Sequence, residues 1–209
     1  DQAKTAAISN FDAVIRDLYR RRMALPKTGP EMADFVDQVA MDINKGILKE
    51  GALFRTDDSD KFPYTAATDI EAARIQFGEE LVKRLADTSA DPVETAAWIE
   101  WRVNLTDHIY ADGVGKTSKA LAAIPLMRAG LPLPVYRDNK EFFANGNKSK
   151  RDPKQGPQSY IDDNFRSFLA YYRGLMPDIG NAVASYSLAK FATKPVRRDV
   201  LSVLPDIAQ

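Results

Sequence analysis

One stretch constrains the fold more than any other: His108-Ile109-Tyr110-Ala111-Asp112-Gly113-Val114-Gly115-Lys116-Thr117-Ser118-Lys119, which interrupts two helical patterns. Before it, Pro92 to Thr106 puts Ala97, Trp98, Trp101 and Leu105 on one helical stripe. After it, a helical pattern runs from Lys116 to Ala129 and is ended by Gly130 and the Pro132/Pro134 pair. The loop between them gathers an imidazole, a carboxylate, two glycines and two lysines. Backbone N–H groups freed by glycine at a helix N-terminus bind anions, and a carboxylate beside them holds a divalent metal. The inventory therefore points to phosphate chemistry.

Composition narrows the classes around that site. A chain of 209 residues buries a sizeable core and suits one compact domain. No apolar run reaches the length a bilayer needs, and Asp1-Gln2-Ala3-Lys4 lacks a charged-then-apolar signal pattern. The absence of cysteine excludes disulfides and thiolate chemistry without fixing the compartment. Twenty-nine basic residues balance 29 acidic ones, which argues against a dedicated nucleic-acid binder.

The remaining elements read as follows. Ile8, Phe11, Ile15 and Leu18 predict a helix over 6–23, closed by Arg20-Arg21-Arg22, which suit the negative end of the helix dipole. A second helix is expected over 31–49, with Phe35, Val39, Ile43 and Ile47 on one face and Gly51 as its stop. Residues 52–65 form the one convincing strand region: Ala52–Arg55 and Phe62–Thr65 flank a polar turn and predict a two-stranded hairpin. Thr68 and Glu71 spell a capping box for a helix over 68–86, and Asp91-Pro92-Val93-Glu94 repeats the device. Pro125 predicts a kink in the helix after the loop. A short helix is expected over 138–144 and two more helices over 159–175 and 179–193, with a mobile surface loop at 145–158 and an ambiguous tail from Pro195.

Competing readings of the central stretch fare worse. A P-loop would need glycine where Tyr110 stands and a buried strand before it, and a Trp-bearing helix precedes it instead. The chain has a single histidine, and it stands four residues before Asp112 in a glycine-containing loop, which favours catalysis over a structural role. Trp98 and Trp101, by their spacing, belong to a core rather than to a ligand shelf.

The arrangement resembles the Fic (Fic/Doc) family, whose signature is HxFx[D/E]GNGRxxR between two helices. His108 falls on the histidine, Tyr110 on the aromatic, Asp112 on the acid, Gly113 and Gly115 on the glycines, and Lys116 and Lys119 on the two arginines. Val114 replaces the asparagine. Leu126-Met127-Arg128-Ala129-Gly130-Leu131-Pro132 looks like the exit of the family's motif helix, and Gly51–Thr56 looks like the start of its flap. The resemblance implies a mostly α fold, a Fic-like helical bundle with a short β-hairpin flap beside the motif loop. It implies a single domain over 1–209, with helix 6–23 and the helices of 159–193 as extensions around a core at about 30–145.

What the resemblance implies about chemistry is transfer of AMP, or a related phosphoryl-containing group, from a nucleotide to a hydroxyl of a target protein. His108 would be the general base, and Asp112 would hold Mg²⁺ or Mn²⁺. Gly113, Val114, Gly115, Lys116 and Lys119 would bind the phosphates of ATP or another nucleotide donor. A target protein would dock on the flap at Leu53, Phe54 and Arg55 by strand addition. Lysine keeps arginine's charge but not its two-pronged geometry. The family's inhibitory signature is not met, since Gly46 stands where a hydroxyl residue should precede Glu50-Gly51. Expected partners include neither membrane nor nucleic acid, and the expected location is cytoplasmic or, as an effector, inside a host cell. Altered chemistry on the same scaffold (phosphoryl or phosphocholine transfer, or a small-molecule substrate) and a catalytically weak binding module are the alternatives.

Overall fold

The structure is a computed structural model that describes residues 2–49, 51–58, 64–147 and 157–177. Those up to Met176 fall in one compact unit. The predicted helix over 179–193, the tail, and residues 148–156 of the predicted surface loop lie outside the described residues.

The N-terminal half supplies the walls. Helix α1 (Gln2–Arg21) buries Val14 and Leu18, and α2 (Gly29–Ile43) buries Met32, Phe35, Val36, Val39 and Ile43. Helix α2 ends well short of Lys49. Asn44 stops it: its buried amide donates to Ala40 O (3.0 Å) and across the fold to Asp112 O (3.1 Å), and Gly46 then turns the chain at φ 73°. A side-chain amide that competes with the helical ladder, followed by a left-handed glycine, outweighs the apolar periodicity that continues through Ile47.

Helix α3 (Ile70–Ala86) is entered through a 3-10 turn, Ala67–Asp69, and the predicted capping box does not form. Thr68 Oγ1 donates to Asp69 Oδ1 (3.3 Å), while Glu71 is drawn to Arg74 (2.9 Å). Arg74 also reaches Asp34 (2.6 Å) and Asp37 (2.7 Å), which fastens α3 to α2. At the next helix the cap does form: Asp91 Oδ1 accepts from Val93 N (2.8 Å), Pro92 takes the first turn, and α4 (Pro92–Glu100) follows. The sequence suggests one regular helix up to the loop. The chain instead widens at Trp101–Asp107 into a π-helical segment, with His108 N bonded back to Val103 O (3.2 Å). Thr106 Oγ1 bonds to Trp101 O (3.2 Å) and Arg102 pairs with Asp107 (3.0 Å), both at five-residue spacing, which matches the wider turn.

Helix α5 (Val114–Arg128) is the centre of the molecule, packed against α1, α2, α4 and the π segment. Its run from Ala120 to Leu126 is buried on all sides, as expected of a helix surrounded by others. It continues through Pro125 and ends at Gly130 (φ 68°), where Leu131 N bonds to Leu126 O (2.9 Å). Asp138 accepts from Glu141 N (2.7 Å) at the start of α6 (Asn139–Asn147), and α7 (Pro157–Gly174) seals the far side with Phe168, Leu169 and Tyr172.

The predicted hairpin is not shown, because residues 59–63, which hold half of its turn and the first half of its second strand, lie outside the described residues. Among the described residues there is no strand, only an isolated antiparallel bridge between Phe54 and Tyr110. Arg55 N donates to Ile109 O (3.0 Å), and Ala111 N donates to Leu53 O (2.9 Å). Thus the partner of Leu53–Arg55 is the motif loop itself. The extended loop offers the open peptide groups that the sequence led one to seek at 62–65; residues 59–63 lie outside the described set.

Candidate functional site

His108 sits where the π segment ends, and its backbone is left-handed at φ 45°. That conformation is uncommon for a residue with a side chain, and histidine is among those that tolerate it. It is held there: Arg55 Nε donates to His108 O (2.9 Å). On the ring, Nδ1 lies 2.9 Å from Asn104 O, an acceptor, so Nδ1 carries the proton and Nε2 presents a lone pair. Burial holds the imidazole below the ordinary histidine value of 6.5; the Asn104 carbonyl opposes this, and the Arg55 guanidinium adds a smaller downward push. Tyr64 stacks on the ring, with centroids 4.2 Å apart and planes 6° from parallel.

Tyr110 anchors the loop from below. Its buried hydroxyl donates to Asp37 Oδ1 (2.8 Å), which is itself paired with Arg74. Burial raises Asp37 above the usual carboxylate range, with the tyrosine and arginine contacts opposing. Asp107, also buried, takes bonds from Arg102 and from Thr65 (3.3 Å). Both ends of the 53–65 segment therefore fasten to the loop, one at residues 109–111 and the other at 107–108.

Asp112 is exposed, and its Oδ1 accepts from Gly113 N (2.6 Å). Among the described residues no group of three or more His, Cys, Asp or Glu could hold a metal ion. The donor here is one exposed hard carboxylate, a type that suits a magnesium-like ion completing its shell with phosphate and water. Gly113 (φ 67°) is the N-cap of α5, with no side chain capping the helix; Lys116 N bonds back to Gly113 O (3.0 Å), and the amides of Val114 and Gly115 have no acceptor among the described residues. Glycine is required: a Cβ there would lie 2.4 Å from Asn44 Oδ1. At Gly115 a Cβ would meet nothing closer than Asn104 Nδ2 at 3.8 Å, so packing gives no reason for glycine.

The other phosphate candidates divide. Lys116 is exposed on the first turn of α5. Val114 is buried in the core cluster, so its amide rather than its side chain borders the loop. Lys119, expected to face the phosphates beside Lys116, sits 3.3 Å from the fully buried Glu100. Its ammonium lies over the rings of Tyr136 (4.4 Å) and Phe142 (4.7 Å). Burial raises Glu100, opposed by Lys119 and by the Tyr136 hydroxyl that donates to it.

The flap residues are equally split. Leu53 and Arg55 pair with the loop, Phe54 stacks on Tyr110 (5.8 Å, 20°), and the Arg55 side chain turns inward to the His108 carbonyl. Sequence reasoning did not reach Asn44, Tyr64, Asn104 or Glu100. Only Glu100 carried a usable signal, a carboxylate beside Trp98 and Trp101 on a helix otherwise apolar there.

No protein-family model matches this chain, and no curated protein does. Solved structures do. A Fic domain containing signaling protein from Bacteroides thetaiotaomicron superposes with a TM-score of 0.69 at 14% identity, over 84% of this chain and 70% of that one. IbpAFic2 covalently tethered to Cdc42 gives 0.54 at 16% identity, and an IbpAFic2 variant in complex with adenylylated Cdc42 gives 0.53 at 15%. They align over 78% and 79% of this chain but only 55% of their own. The chain has the Fic fold.

Proposed function

We propose that the protein is a Fic-type transferase that moves AMP from ATP to a hydroxyl of a target protein. The observation that carries this reading is the placement of His108, Asp112 and the uncapped start of α5 on one loop, with the imidazole Nε2 left as the base. The target hydroxyl would give its proton to Nε2 as its oxygen attacks the α-phosphorus, and pyrophosphate would leave. The amides of Val114 and Gly115, with Lys116, would take the donor's phosphate charge, and Lys119 would contribute through α5 rather than by contact. A divalent ion held by Asp112 would supply charge neutralisation to the phosphates. Leu53 and Arg55 use one edge of the segment against the loop, which turns the peptide groups of Phe54 to the other edge for a target strand. The complexes of IbpAFic2 with Cdc42 support a protein as the acceptor.

Calorimetry with ATP tests the donor half. Binding should require Mg²⁺ or Mn²⁺, and Asp112→Asn should weaken it at least about tenfold, the loss of one charge-assisted contact. Equal affinity in chelator would remove Asp112 from the account.

A further inference from the structure

The 53–65 segment touches the site in a way that a docking edge for a target does not need. Tyr64 covers one face of the imidazole in near-parallel contact, Arg55 Nε holds the carbonyl of the same residue, and Thr65 bonds to Asp107, the residue before it. The left-handed backbone of His108 has no helix of its own to fix it; the π segment ends there. Asn104 sets the tautomer through Nδ1, but one bond leaves the ring free to swing about it.

We propose that Tyr64 and Arg55 form a clamp that fixes the His108 imidazole with Nε2 presented, so that the segment meant to receive the target also positions the base. Tyr64 is a positioning residue in this account, acting through His108, and the proposal rests on the reading of His108 as the base. Its physical content is that ring stacking restricts the imidazole to one plane and excludes water from one face. Tyr64 stacks on the ring, Arg55, itself 3.6 Å from Asp58, holds the His108 carbonyl, and Asp107, the preceding residue, is paired with Arg102. Asp107 is matched by Arg102 at 3.0 Å; burial, and to a smaller degree the Arg55 charge, depress proton binding at His108 against the opposing Asn104 carbonyl.

Because the chain contains one histidine, proton NMR of a tag-free preparation shows a single imidazole spin system. In the native protein its ring protons should be displaced upfield by the stacked phenol, and its titration midpoint should lie below 6.5. Tyr64→Phe, which retains a stacked ring, should keep the upfield displacement. Tyr64→Ala should lose the upfield displacement, move the midpoint toward 6.5, carry the acid limb of the kcat–pH profile upward with it, and lower kcat roughly 10- to 100-fold. Random-coil ring shifts in the native protein would overturn the clamp without any variant. So would Tyr64→Ala with native kcat and an unmoved pH profile, whatever its spectrum. If the native protein transfers nothing, the transferase reading fails, while the spectra still decide whether the clamp exists.

Discussion

Glycine residues two apart show how the site separates scaffold from ligand. Gly113 combines φ 67° with a Cβ position 2.4 Å from Asn44, so Gly113→Ala must pay for both a left-handed alanine and a displaced buried amide. Together these come to about 2–4 kcal/mol, enough to lower the melting temperature by roughly 5–15 °C. Gly115→Ala meets no such obstacle and should melt within a degree or two of the native protein, yet weaken ATP binding, because a methyl group there borders the amides that would receive phosphate. Thermal denaturation read beside calorimetry checks the pair, and equal destabilisation by the two changes would refute the distinction. In the proposed reaction His108 would carry the pH dependence. A base must be neutral to act, and burial holds this one below 6.5, so transfer should be flat through neutrality and fall only at more acidic pH.

At the scale of elements, Glu100 and Lys119 tie α4 to α5. Glu100 is fully buried and Lys119 about one-quarter exposed, so the pair is a costly arrangement that persists only while both members are present. Lys119→Met should destabilise the fold by about 3 kcal/mol, because it leaves a buried carboxylate facing aromatic rings; Glu100→Gln combined with it should recover much of that loss. Chemical denaturation of the two single variants and the double completes the cycle, and strict additivity would contradict the coupling. This pair was not legible in the sequence, where Lys119 reads as a second phosphate ligand. Spacing along α5 places it one turn from Lys116 but says nothing of the carboxylate that α4 brings against it. The same limit explains α2, whose periodicity runs on through Ile47 although Asn44, bonded 68 residues away in sequence, ends the helix. The π segment was likewise invisible, since its sequence differs little from that of an α-helix. Local signals that need no distant partner were read correctly: Asp91-Pro92 at the start of α4 and Gly130 at the end of α5.

For the molecule as a whole, the loop and its flanking helices could be placed from the sequence because local signals mark their ends: the Asp91-Pro92 cap before α4, Gly113 at the start of α5 and Gly130 after it. The flap could not. A strand is defined by what it pairs with, and Leu53–Arg55 pairs with the loop whose function was in question. The central claim is that this loop transfers a nucleotide-derived group, and intact-mass analysis of lysate proteins incubated with the purified protein, ATP and Mg²⁺ tests it most directly. The account predicts that one or a few proteins gain the mass of a single adenylyl group, and that none does with His108→Asn, a change that tolerates the left-handed backbone while removing the base. An adenylyl adduct formed equally well by His108→Asn, or its absence with ATP while another donor leaves an adduct of its own, would contradict it.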